Sequence, residues 1–281
     1  MPRSILKKVR TPSRATEDAS LGATSQSLER GMSLLEAVVD RPLAGATLNE
    51  LAAATGLSRP TAHRLLLSLR KLGFVDYDAQ TRRFFPGLKA YRMGLASAAR
   101  FDIVELADRS MSKLAEETGD TVFLSLRHGD SALCAARKIG AFPIRTLTLN
   151  VGDFRPLGVG AGSLALLAAL PEDEARHVIA RNRAKLAAYP GIDPASLKEM
   201  ATKTRRQGFA VNDGLILEEM AAVAVPVHDG GGKTIAAISV AAIRSRMAPP
   251  RRGTVVKLLE RERAAIESML GAPGRAAMGT R

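Results

Sequence analysis

The sequence predicts an α+β protein of two domains: a small N-terminal winged helix-turn-helix and, beyond a linker helix, a larger domain of helices on a mainly antiparallel sheet. Three observations carry that expectation. Capping and turn residues alternate with amphipathic runs over residues 47–72, and a short hairpin pattern follows up to Pro86. The length of 281 residues also exceeds the roughly 100–200 of one typical domain.

Residues 1–24 place Arg3, Lys7, Lys8, Arg10 and Arg14 among Ser, Thr and Pro without apolar periodicity. A disordered basic arm is expected there, either a solvated tail or an extra DNA contact. The winged unit occupies 25–87. Its first helix starts near Ser27, with the apolar stripe Leu28, Met32, Leu35 and Val39, and Arg41-Pro42 ends it. Thr47-Leu48-Asn49-Glu50 has the form of a capping box and opens a short helix through Ala54. Gly56 permits the left-handed turn after it, Ser58 caps the next helix and Pro60 fits its first turn. On that helix, 58–72, Ala62, Leu65, Leu66, Leu69 and Leu72 form one side and His63, Arg64 and Lys71 the other. Leu67 also turns outward, with no role assigned to it. Strands at 74–77 and 82–85 around a turn at 78–81 form the wing. A linker helix rich in small residues is expected over 88–101.

The larger domain is placed at 102–272, with a flexible tail at 273–281. A helix at 103–117 ends at Gly119. Strands are then expected at 122–127, 132–137 and 144–149, helices at 162–170, 172–181 and 194–207, strands at 222–227 and 234–243, and a last helix at 253–270. This order gives an α+β domain.

Composition narrows the function classes. Hydrophobic residues make up 46% and aromatics only 4%, so the cores are aliphatic. The net charge of +13 favours a polyanionic partner, and its surplus is denser at the N-terminal end, where residues 1–92 hold fifteen Lys/Arg against eight Asp/Glu. The single Cys134 excludes an internal disulfide and a multi-cysteine zinc site, and reads as a small buried hydrophobe in a strand. The longest nearly apolar run, 157–170, falls short of the ~20 residues of a membrane span. No apolar leader precedes Leu21. A cytoplasmic location is expected.

A helix fits the major groove, where its first turns meet base edges while flanking cations hold phosphates. The candidate DNA contacts are Arg59, Thr61, His63 and Arg64, with Thr47 and Ser58 at the two helix starts and Arg82 and Arg83 of the wing on phosphates. Which of Arg59 and Arg64 meets a guanine stays open. In the larger domain the glycines of 158–163 would let backbone amides approach a small anionic ligand. Gly232-Lys233-Thr234 imitates the end of a P-loop but lacks its first glycine, Val227 standing there, and is read as a turn. Asn212-Asp213 either orients a ligand or makes a turn. His63, His128, His177 and His228 lack metal-ligand spacing, and no nucleophile elbow or carboxylate pair appears. Neither catalysis, a metal nor a cofactor is expected.

The segments 48–52, 55–66, 72–75, 114–120 and 208–213 together resemble the IclR family of bacterial transcriptional regulators, over about 27–270. The resemblance implies a GAF-like effector domain for a small molecule, often an organic or aromatic acid, and homodimers or homotetramers on palindromic double-stranded DNA. It implies a pocket at Gly160, Ala161, Asn212, Asp213, Ala222 and Ser239. The chain departs from the family pattern at Gly162-Ser163-Leu164, at Ala222 in place of a frequent Cys and at Asn212 in place of a frequent acid. A less polar pocket follows. The function expected is a ligand-responsive regulator of a metabolic, catabolic operon. The alternatives are a nucleoid-type scaffold without effector and a C-terminal domain with weak enzymatic activity.

Overall fold

The computed structural model describes residues 25–98 and 102–271. The arm expected at 1–24, the linker end at 99–101 and the tail at 273–281 lie outside the described residues. The chain divides into two compact units, Met1–Ala98 and Ala99–Arg281.

In the first unit the order is α1 (Gln26–Val39), α2 (Leu48–Thr55), α3 (Arg59–Lys71), β1 (Val75–Asp78), β2 (Arg83–Pro86) and α4 (Leu88–Ala98). The capping box closes from both sides: the Glu50 amide donates to Thr47 Oγ1 at 3.3 Å and the Thr47 amide donates to Glu50 Oε2 at 2.7 Å. Gly56 then takes the left-handed conformation, φ 66°, that ends α2 and turns the chain into α3. Ser58 caps α3 by accepting from the Thr61 amide at 3.4 Å. β1 and β2 pair as an antiparallel hairpin, and Ala46 bridges Phe84 as a further rung. Leu34, Val38, Leu51, Ala62, Leu66 and Val75 close the core between helices and wing.

Two apolar assignments are corrected. Of the α1 stripe only Leu35 is buried, while Leu28, Met32 and Val39 are exposed. The inner face is Gly31, Leu34, Leu35 and Val38, so α1 is apolar on two sides and the regular stripe is the outer one. Leu72 is exposed because it is the C-cap of α3, where the chain leaves the helix.

The second unit runs α5 (Ile103–Thr118), β3 (Thr121–His128), β4 (Ser131–Lys138), β5 (Phe154–Pro156), α6 (Ala161–Ala168), α7 (Glu172–Leu186), α8 (Pro194–Gln207), β6 (Ala210–Asp213), β7 (Met220–His228), β8 (Thr234–Ile243), a 3₁₀ turn (Arg244–Met247) and α9 (Pro249–Leu270). The sheet order is β5-β4-β3-β8-β7-β6, antiparallel throughout. Period-two alternation gives its faces different side chains. Val122, Leu124, Val223, Val225, Ile238 and Val240 pack under α5 and α9. The opposite face carries small residues, among them Ser125, Ala222, Ala224, Ala237, Ser239 and Ala241. Branched side chains fill one layer, and the alanines and serines leave space in the other. Cys134 is buried in β4, and burial pushes its thiol up to about 11.

The strand expected at 144–149 does not form. The edge of β4 that it would need is taken by β5, through Leu133 opposite Phe154 and Ser131 opposite Pro156. β6 was not expected, and α9 begins at Pro249 rather than 253, with proline in the first turn where its missing N–H costs nothing. Among the described residues no helix is long and apolar enough to cross a membrane.

Candidate DNA interface and effector cavity

In the winged unit, Arg59, His63 and Arg64 are exposed on α3 and enter no ion pair with the described residues. Arg59, His63, Leu67 and Arg70 share one shallow depression with Thr47 and Asn49 of the α2 start and with Tyr77 and Arg82 of the wing. Leu67 thereby gains a place, in the lining of that depression. Arg70 lies over the Tyr77 ring at 5.6 Å, which fixes the wing against α3. Arg82 sits exposed at the hairpin turn with φ 55°, uncommon for a residue with a side chain. Its neighbours Gln80 and Thr81 are held by the Asp78 carboxylate, their amides donating at 2.8 and 3.4 Å.

The other candidates are engaged within the unit. Arg83 donates to the Gly45 carbonyl at 3.1 Å and meets Glu50 Oε2 at 3.5 Å, so it braces the loop before α2. The hydroxyls of Thr47 and Ser58 serve the caps, and Thr61, half-buried, shares a 2.9 Å contact with Ser58 Oγ. Hydrogen bonds from Thr47, with lesser help from Arg83 and Arg41, hold the Glu50 carboxyl below its usual range.

In the second unit a cavity of about 70 Å³ opens between the small-residue face of the sheet and the start of α6. A concave, mainly apolar site with a few polar groups suits a small molecule. Gly160, Ala161, Asn212, Ala222 and Ser239 all line it. Register explains the grouping: Asn212 stands opposite Ala222 and Ala222 opposite Ala241, one row across β6, β7 and β8. Phe123 and Ser239 form the next row. Helix α6 approaches closely, since a Cβ on Gly162 would lie 2.7 Å from Ser125 Oγ. Gly160 is its N-cap, with φ 93° and no side-chain cap, so the first amides of α6 have no intrahelical acceptor.

Asp213 departs from the expected set. Alternation along β6 turns it to the face opposite Asn212, where Arg244 Nε donates to it at 2.9 Å and Arg252 Nη2 at 2.7 Å. Those two arginines hold its carboxyl below the ordinary range, Arg252 most strongly. Recognition of 210–213 as a strand was the missing signal, because period two forbids both neighbours from facing one cavity.

Sequence reasoning also passed over Ser125, Thr146, Thr148 and Arg155, which line the cavity. Asn212 is 5% exposed and Thr146 3%, yet Asn212 Nδ2 and Thr146 Oγ1 have no hydrogen-bond partner among the described residues. Ser163 is satisfied, accepting from the Gly158 amide at 2.9 Å and donating to the Pro156 carbonyl at 3.0 Å.

A winged helix-turn-helix with an outward basic helix, followed by an α+β unit with a largely apolar cavity, defines a DNA-binding transcriptional regulator with an effector domain. The bacterial transcriptional regulator IclR C-terminal model matches residues 95–267 and the IclR helix-turn-helix model residues 27–79, and the chain belongs to the IclR family. It is 29% identical to the HTH-type transcriptional regulator BhcR of Paracoccus denitrificans, over 80% of each chain. It is 27% identical to the transcriptional repressor IclR of Escherichia coli, over 87% of this chain and 89% of the other. The crystal structure of an IclR regulator from Alicyclobacillus acidocaldarius superposes with a TM-score of 0.73 at 26% identity, covering 89% of this chain and all of that one. An IclR homologue from Microbacterium hydrocarbonoxydans, complexed with 4-hydroxybenzoate, shares the fold with a TM-score of 0.72 at 22% identity over 87% of this chain and 99% of its own. These relatives are regulators, which favours that reading over a nucleoid scaffold.

Proposed function

We propose that the chain is a cytoplasmic regulator in which residues 25–87 bind a palindromic operator, 88–101 link, and 102–272 bind a small organic or aromatic acid that shifts operator affinity. It binds and releases its effector without turning it over, and it controls a catabolic operon. The observation that carries the sensor half is the cavity with two buried polar atoms lacking partners among the described residues, because a fold leaves such groups unsatisfied at a cost of ~1–3 kcal/mol each. The 4-hydroxybenzoate complex of the Microbacterium homologue supports the ligand class. Arg59, His63, Arg64 and Arg82 are the outward set that supports DNA contact.

The test is fluorescence anisotropy with the DNA upstream of the gene against scrambled DNA at physiological salt. Binding to the upstream fragment at least ~10³-fold tighter is expected. An intermediate of the neighbouring pathway should change it at least ~fivefold. Equal affinity for both DNAs would overturn the reading.

Self-association is supported by exposed apolar stripes in the first unit. Leu88, Tyr91 and Leu95 are 76%, 64% and 57% exposed at spacings of three and four on α4, and Leu28, Met32 and Val39 line the outside of α1. Tyr91→Glu with Leu95→Glu is expected to reduce the assembly to a smaller species in sedimentation velocity. Far-UV circular dichroism should remain that of a folded chain, because these side chains stand outside the core of the unit that carries them. An unchanged sedimentation coefficient would remove α4 from the interface.

A further inference from the structure

Arg155 follows the edge strand's first residue and is the sole charged side chain among the described residues lining the cavity. No carboxylate forms an ion pair with it among the described residues; Asp153 and Tyr189 act on it only through their fields. Burial pulls its guanidinium below the ordinary value, and the fields of Tyr189, Asp153 and Cys134 offset that only in part. One arm, Nη2, donates to the Thr148 carbonyl of the loop that borders the cavity. The other arm lies at the start of α6, since a Cβ on Gly160 would come within 3.6 Å of Nη1. Gly160 therefore leaves open the space between the cation and the uncapped amides of Ala161 and Gly162. Asn212, whose buried Nδ2 has no partner among the described residues, lines the same cavity and adds no charge that would neutralise the arginine.

From this arrangement we infer that Arg155 is the specificity-determining residue of the cavity and takes the carboxylate of a monoanionic ligand whose apolar body lies against Phe123, Ile216, Leu217 and Met220. One cation matches one negative charge, and a planar guanidinium arm beside a helix N-terminus suits a carboxylate. A doubly charged phosphate would leave a negative charge without a counter-charge in an otherwise neutral, largely apolar site. The Asn212 amide N–H is then free to donate to the same carboxylate or to a hydroxyl on the body.

The inference rests on the reading of this unit as a ligand sensor, and the experiment separates the two. Full-length protein is titrated with benzoate, phenylacetate and 4-methylpentanoate and with the primary amide of each, following Tm. The carboxylates are expected to raise Tm in a dose-dependent way and the amides to raise it less. In Arg155→Met the carboxylate Kd should weaken about 10- to 100-fold, as for loss of a charge-assisted pair, and the preference for carboxylate over amide should vanish. Arg155→Lys should retain the preference with reduced affinity, and it decides the matter with the wild-type comparison if Arg155→Met does not fold. Equal shifts by acids and amides, shifts by amides alone, or a preference that survives Arg155→Met would overturn the role of Arg155 and leave the sensor reading standing. No shift by any compound of either class would count against the sensor reading and bring this inference down with it.

Discussion

Changing Arg59 and Arg64 together to alanine is expected to lower affinity for the upstream DNA at least ~30-fold while leaving the fold intact. The size follows from the contacts available to an arginine at the start of a recognition helix, where a bidentate pair to guanine contributes ~1–3 kcal/mol of discrimination. The loss of a base contact and the loss of a phosphate contact add when the two sites are independent. Fold integrity follows from the surface: both side chains are exposed and bond to nothing among the described residues, so each substitution should stay within ~0.5 kcal/mol of wild type. Salt separates the roles of the two. An arginine that reads a base leaves the dependence on salt nearly unchanged when removed and relaxes sequence preference, whereas one on phosphate reduces the slope of log K against log salt by ~1. Anisotropy titrations of both single variants over a salt series therefore decide which arginine reads and which anchors. Wild-type affinity in the double variant would mean that α3 is not the recognition helix.

Legibility in this chain follows the range of the interactions. The winged unit was readable because its signals are local: Thr47 and Glu50 are three residues apart, Gly56 ends one helix and Ser58 starts the next. Where a surface had to be assigned, local rules misled. Leu28, Met32 and Val39 keep helical spacing but face outward, since α1 has a second apolar side made by Leu34 and Val38. The segment 144–149 has strand-like residues, yet a strand needs a free edge, and β5 occupies that edge. β6 was lost because four residues ending in Asn-Asp resemble a turn, and with it went the alternation that separates Asn212 from Asp213. Arg155 and Thr146 were not readable at all. Their place in the cavity depends on where a loop without regular structure folds against the sheet, and no spacing in the sequence records that.

Asp120→Ala is expected to cost the second unit ~2–4 kcal/mol, among the largest effects available to a single substitution outside its apolar core. Asp120 is buried just before β3 and accepts from Arg246 Nε at 3.0 Å and Arg251 Nη2 at 2.6 Å. Both arginines also donate to the Thr118 carbonyl, at 3.0 and 2.7 Å, and so satisfy one of the orphan carbonyls at the end of α5. Arg246 in addition lies 3.8 Å over the Phe142 ring. One carboxylate thus joins the end of α5, the start of β3, the 3₁₀ turn and the start of α9. Removing it leaves two cations without their charge partner, but they keep about a quarter to a third of their side-chain surface in water, which places the loss below the upper limit for a fully buried pair. Asp120→Asn keeps the shape and one acceptor and should lose about half as much. Cys134 supplies the measurement, since it is the chain's single cysteine and is buried in the second unit. Thiol labelling across a urea gradient reports the opening of that unit alone, whatever the winged unit does. A midpoint for Asp120→Ala close to that of wild type would show that Arg246 and Arg251 find equivalent partners in water and the Thr118 carbonyl, and that the carboxylate is not what ties these four elements together.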